Sequence, residues 1–126
     1  MRHILIITLS LLLFTSPLFG QSERPKSIIE GDKTKGIFVA VGQSGTLLTS
    51  SDGTTWTSRT SGRSETLWKV TYGNGLFVTV GRGGTILTSS GGTTWTSRTS
   101  GTTYILTDVT YGNGLFVMVG QSGTIL

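Results

Sequence analysis

Glu65 and Asp108 are the candidate pair of carboxylates in this chain. A glycosidase needs two such groups flanking one bond, and nothing in the sequence pairs these two in space. The positions 39 residues away hold Tyr104 and Lys69, so neither carboxylate recurs. Other chemistry is closed off more firmly. Cys is absent, and the single histidine, His3, lies in a segment predicted to be removed. Beyond residue 20 this excludes a Ser-His-Asp triad, a Cys-His pair, zinc sites built on His or thiolate, and disulfides. Gly42-Gln43-Ser44-Gly45 is one residue short of a G-x-S-x-G elbow and stands between two predicted strands, not before a helix. Gly73-Asn74-Gly75 lacks the Lys-Ser/Thr of a phosphate loop and the helix behind it. Both are read as turns. No catalytic residue, metal or cofactor is assigned, and the chain is read as a non-enzyme.

Binding is the better expectation. Arg63, Glu65, Trp68, Arg82 and Tyr104 mix aromatic and charged groups suited to a polar or sugar-like ligand. The partner is then a protein or glycan of unknown identity. Against this stands the plain tendency of loop positions to vary, and Trp68 reads equally well as a core residue of an innermost strand.

These residues take their places from a repeat. Tyr72 recurs as Tyr111, Trp56 as Trp95, and Gly42 as Gly81 and Gly120, always 39 residues apart. Residues 46–62 and 85–101 agree at 15 of 17 positions, and residues 72–87 and 111–126 at 13 of 16. Self-similarity at this period indicates a repeat architecture. The units are 28–66, 67–105 and 106–126, the last lacking its fourth run and its tryptophan turn. The opening of the first is a worn copy, with Ile28-Ile29 at the positions of Leu67-Trp68.

Each unit divides into four short β-rich runs separated by turn signals, in the second unit 67–72, 76–80, 85–89 and 94–98. Asn74-Gly75 is a hairpin signal, because both central residues of such a turn need positive φ. Four runs joined by tight turns predict an antiparallel meander. Its connections alternate between two rims. On one, the first turn is unchanged between 73–75 and 112–114, and the third changes only at Asp52/Gly91. The other varies: the second turn reads Gln43-Ser44, Arg82-Gly83 and Gln121-Ser122, and the link between units reads RSETLWK at 63–69 but TTYILTD at 102–108. All five candidate binding residues belong to this variable rim.

Along 76–80, Phe77 and Thr79 point to one face and Leu76, Val78 and Val80 to the other. The Thr79 position is Ala40 and Met118 in the sister units, so both faces are largely apolar. A sheet buried on both faces has this pattern. Blades of a β-propeller meet the condition; a β-solenoid is the second reading, less suited to a unit of this length with four turns.

Ser50-Ser51-Asp52-Gly53-Thr54-Thr55-Trp56 resembles the Asp-box, S-x-D-x-G-x-T-W, of sialidase-like (BNR-repeat) propellers. The whole unit, with YGNGLFV, VGxxGTIL and SSDGTTW, is similar to bacterial propeller repeats related to the photosystem II assembly and stability factor family. The resemblance spans roughly residues 28–126. It implies a propeller blade in which Ser50, Asp52, Gly53, Thr55 and Trp56, with Trp95 in the next copy, form a structural hairpin away from any active site. Asp52 and Gly53 are adjacent, one residue closer than in the standard box, and the second copy has Gly91 in place of the Asp. A position that accepts Asp or Gly serves a turn. The arginine triad, tyrosine nucleophile and acidic partners of sialidase catalysis have no counterpart that can be placed here. The expected fold is all-β, a partial β-propeller of about two and a half four-stranded antiparallel blades. Closed propellers use four to eight. The chain is therefore read as a fragment of a longer repeat protein, or as a subunit that closes a ring by homo-oligomerisation, as in a lectin; a sialidase-like hydrolase fragment is a further alternative.

Residues 1–20 read as a secretory signal peptide, with Arg2, an apolar run and a small-residue exit, followed by a polar lead-in at 21–27. The apolar run is shorter than the ~20 residues a membrane span needs, so no stable membrane insertion is expected after cleavage. Secretion or a periplasmic location follows. The 126 residues carry 10 Lys/Arg against 6 Asp/Glu. Without Arg2 the excess is +3, and four of the remaining bases (Arg24, Lys26, Lys33, Lys35) precede the regular repeat. The rest are dispersed, unlike the clustered stripe of a nucleic-acid binder.

Overall fold

The computed structural model describes residues 4–8, 28–32 and 36–126, with side chains from residue 36 onward. The chain is all-β and built from antiparallel sheets. In the first unit, β2 (Ile28–Asp32), β3 (Ile37–Val41), β4 (Leu47–Ser50) and β5 (Thr57–Ser58) follow one another across a sheet. Within the predicted leader, Ile4–Thr8 forms β1 and pairs antiparallel with β2. The remainder of the leader and the lead-in at 21–27 lie outside the described residues. The second unit is a four-stranded meander of β6 (Leu67–Gly73), β7 (Leu76–Gly81), β8 (Ile86–Ser89) and β9 (Thr96–Arg98). The third pairs β10 (Leu106–Gly112) with β11 (Leu115–Gly120), and Ile125 adds an isolated bridge to Val119. Among the described residues no helix is long and apolar enough to cross a membrane.

Local chemistry accounts for the turns. Asn74 (φ 50°) and Gly75 (φ 76°) both adopt the left-handed conformation between β6 and β7, as do Asn113 and Gly114 between β10 and β11. These are the residues that reach it at least cost. The fourth strand is shorter than the expected 94–98. The residues before it are spent on the turn, where the Gly92 N–H donates to Ser89 Oγ (2.7 Å) and Trp95 Nε1–H donates to the Gly92 carbonyl (2.7 Å). Arg98 Nε then donates to Thr88 Oγ1 (2.9 Å), tying the outermost strand to its neighbour; Arg59 and Thr49 repeat the bond in the first unit at 2.8 Å.

The sheets stack face to face, and the alternation along β7 decides what each face meets. Phe77 joins Val39, Val41, Leu47, Leu67, Val70 and Leu87 in a core between the first and second units. Val78 and Val80 join Ile86, Leu106 and Val109 in a core between the second and third. Every residue of β7 after Leu76 is buried, as expected for a strand covered on both sides. Thr79, wholly buried, gives its hydroxyl to the Lys69 carbonyl (2.8 Å), so its polarity is satisfied.

Leu67 and Val70 reach the same core although they lie three residues apart. The register slips between Leu67 and Lys69, which makes Trp68 the extra residue of a β-bulge. A bulge re-aims side chains in this way. The same slip between Leu106 and Asp108 brings Leu106 and Val109 together. Beside the bulges, Lys69 Nζ and Asp108 Oδ1 pair at 3.3 Å between sister positions of adjacent units.

Candidate functional site

The variable rim is built on three short 3-10 turns, Gln43–Gly45, Arg82–Gly84 and Gln121–Gly123, one after the second strand of each unit. The link from the first unit to the second is held between two of them. Leu67 N–H donates to the Gly42 carbonyl (2.9 Å), and Arg82 N–H donates to the Thr66 carbonyl (2.9 Å). In the third unit Gln121 N–H reaches the Ile105 carbonyl (2.8 Å). Ser61 bends the first link, its Oγ accepting from the Arg63 N–H at 3.2 Å and donating to the Arg63 carbonyl at 3.3 Å. Ser100 does the same around Thr102, at 3.2 Å and 3.0 Å. Links of different sequence are thus given one conformation. The sequence reading missed these two serines, although Ser-Gly stands unchanged at 61–62 and 100–101.

Two adjoining clefts open on this rim. One, of ≈ 840 Å³, takes in Glu65, Arg82, Gln43 and Gln121, and so draws on the turns of all three units. The other, of ≈ 620 Å³, is lined by Arg63, Tyr104 and Arg98. Gly83 and Thr103 border both. Four of the five candidate binding residues therefore fall in one continuous concave stretch. Tyr104 is 49 % exposed, its ring offered to solvent. Arg63 Nη2 donates to Ser97 Oγ (2.9 Å), which orients the guanidinium, while Arg82 has no ion-pair partner among the described residues. Such a surface offers donors, an acceptor and an aromatic ring to a polar ligand.

Trp68, the fifth candidate, is 38 % exposed on its bulge and lines neither cleft. Asp108 is engaged by Lys69 and also accepts from the Val109 N–H (2.8 Å), and it too lies outside both clefts. Glu65 and Asp108 are not brought to one cleft. Among the described residues no group of three or more His, Cys, Asp or Glu is placed to hold a metal ion.

On the opposite rim the turn after β4 closes on Asp52. Its Oδ1 accepts from the N–H groups of Thr54 (2.8 Å) and Thr55 (2.9 Å) and from Ser50 Oγ (3.0 Å), and Ser50 Oγ in turn accepts from the Gly53 N–H (2.7 Å). The amides of Thr55 and Thr54, and then the Ser50 hydroxyl, hold the Asp52 carboxyl below its ordinary value. A depressed carboxylate contributes its stabilisation above the unfolded-state pKa and loses it as pH falls through the folded one. The amide signals of Thr54 and Thr55 are accordingly expected to titrate below the usual carboxylate range in an NMR pH series. Those of Thr93 and Thr94, where Gly91 replaces the acid, should stay still.

Trp56 and Trp95 are half-buried, and Trp95 packs on the first core with its ring 6.4 Å from that of Phe77. This is a packing role. Comparison with protein-family models, with curated proteins and with solved structures gives no match to this chain.

Proposed function

We propose that this protein is a secreted or periplasmic, non-catalytic binding scaffold whose sheets are blades of a partial β-propeller, and that it takes a glycan or a polar protein segment on its variable rim. The observation that carries the reading is the gathering of Arg63, Glu65, Arg82 and Tyr104 along two adjoining clefts. The rim that varies between units carries both of these clefts, while on the opposite rim the first turn is unchanged between 73–75 and 112–114 and the third changes only at Asp52/Gly91. Binding residues on loops held by a rigid scaffold follow this pattern. The propeller reading is supported by the four-stranded meander and by sheets that cover one another face to face. Export rests on the basic start and apolar run of residues 1–20.

A glycan array probed with the full chain tests the proposal. A hit is expected to weaken at least about tenfold on Tyr104→Ala or Arg82→Ala, as for residues at the centre of a contact. Trp68→Ala, outside the clefts, should leave it within a factor of about two. Binding lost on Trp68→Ala but kept by the cleft variants would move the site to the bulge and defeat this placement.

A further inference from the structure

The third unit carries a face that is covered wherever else it occurs. In the first unit Val39, Val41 and Leu47 are buried against Leu67, Val70 and Phe77 of the second. In the second unit Val78, Val80 and Ile86 are buried against Leu106 and Val109 of the third. Thirty-nine residues further on, Val117, Val119 and Ile125 make the same face again, and they are 37, 40 and 72 % exposed. Leu115, at the position of Leu76, extends the apolar area and is 63 % exposed. An apolar face of this kind on a folded chain marks an interaction surface.

What fits it is shown twice inside the chain. The covering surface is always the opposite face of the following unit, with a Phe from its second strand and a Leu from its first. At the far end of the stack the first unit presents its own version of that surface. Phe38 and Leu48 stand at the positions of Phe77 and Leu87, and they are half-buried where their sisters are buried. Ile29 holds the register position of Val70, each paired with the sister positions Ala40 and Thr79. One molecule therefore carries both halves of a junction that it already makes internally.

We propose that a second copy of this chain docks on the open face of the third unit, its first unit taking the place of a following unit. The two faces differ, so the contact is head-to-tail; it closes into a ring if the rotation per chain permits and otherwise extends.

Light scattering on the purified full chain over a dilution series tests this. The expected mass is two or more chains at the upper end, against 13.4 kDa for one. Val119→Lys alters a position already exposed in the single chain, so circular dichroism should be unchanged while the mass falls to that of a monomer. Leu48→Lys blocks the other face and should also be monomeric. Mixing the two variants should restore a dimer and nothing larger, since each keeps the face the other has lost. A folded monomer at every concentration of the unaltered chain overturns the proposal. So does a multimer that survives Val119→Lys, or self-association of Leu48→Lys with no gain on mixing, which would mean that the third-unit face pairs with itself.

Discussion

Replacing Phe77 by Ala is expected to cost about 3–5 kcal/mol of unfolding free energy, the range for a fully buried phenylalanine. Its ring has no exposed surface and sits in the core shared by the first two units. It lies 4.6 Å from the ring of Tyr72 and 6.4 Å from that of Trp95, so removal opens a cavity that rigid neighbours on two sheets cannot readily fill. The chain supplies its own control. Phe116 occupies the same place in the repeat and makes the same contact with Tyr111 (4.7 Å), but it is only half-buried. Phe116→Ala should therefore cost about half as much or less, in proportion to the area it removes from water. Urea unfolding of the two variants decides the matter. Equal losses would mean that the ring pair within each sheet, and not the stacking of sheets, carries the energy.

Gly84→Ala is the second large effect. Gly84 holds φ at +69° in the 3-10 turn after β7, and a Cβ there would run into the Thr102 carbonyl of the next link and crowd Ser100 Oγ. The left-handed conformation alone costs a side chain about 1–2 kcal/mol. Displacing packed backbone adds about 1–3 kcal/mol, so a total near 2–5 kcal/mol is expected. Gly123 is the matching glycine of the third unit, with φ +73° and open space where its Cβ would stand. Gly123→Ala should show the conformational cost only, about 1–2 kcal/mol. Thermal unfolding of both variants measures the difference, and a Gly84→Ala chain no less stable than Gly123→Ala would refute the close approach. The carbonyl that Gly84 accommodates belongs to the link lining the second cleft, so the same variant should disturb ligand binding there.

The meander is legible in the sequence because its signals are local. Asn-Gly pairs mark the first hairpins, glycine-rich turns mark the second, and the apolar residues on both sides of 76–80 announce a strand covered twice. The bulges are not legible from strict alternation, which would place Leu67 and Val70 on opposite faces. Their spacing of three, repeated in Leu106 and Val109, is the trace they leave. The fourth strand comes out short because the tryptophan turn takes residues that its β-propensity would assign to the sheet. Variation between units locates the rim but not the clefts. Links have no periodicity, so which side chains converge depends on the local bends at Ser61 and Ser100 and on bonds between links and turns that lie far apart in the chain. Trp68 stands apart for the same reason: its direction is set by the bulge and not by its neighbours in sequence.

The bonds from Arg98 to Thr88 and from Arg59 to Thr49 have a consequence for solubility. They lie on the outermost strands, which in the first two units are only two and three residues long, wholly polar, and capped by these arginines. A strand edge so short and so charged is a poor template for backbone pairing with another molecule. Runaway sheet extension is thus discouraged along the outer margin of both units, even though their inner strands are rich in valine and leucine. The outer margin thus disfavours the indiscriminate, hydrogen-bonded route of association relative to contacts in which side chains must match.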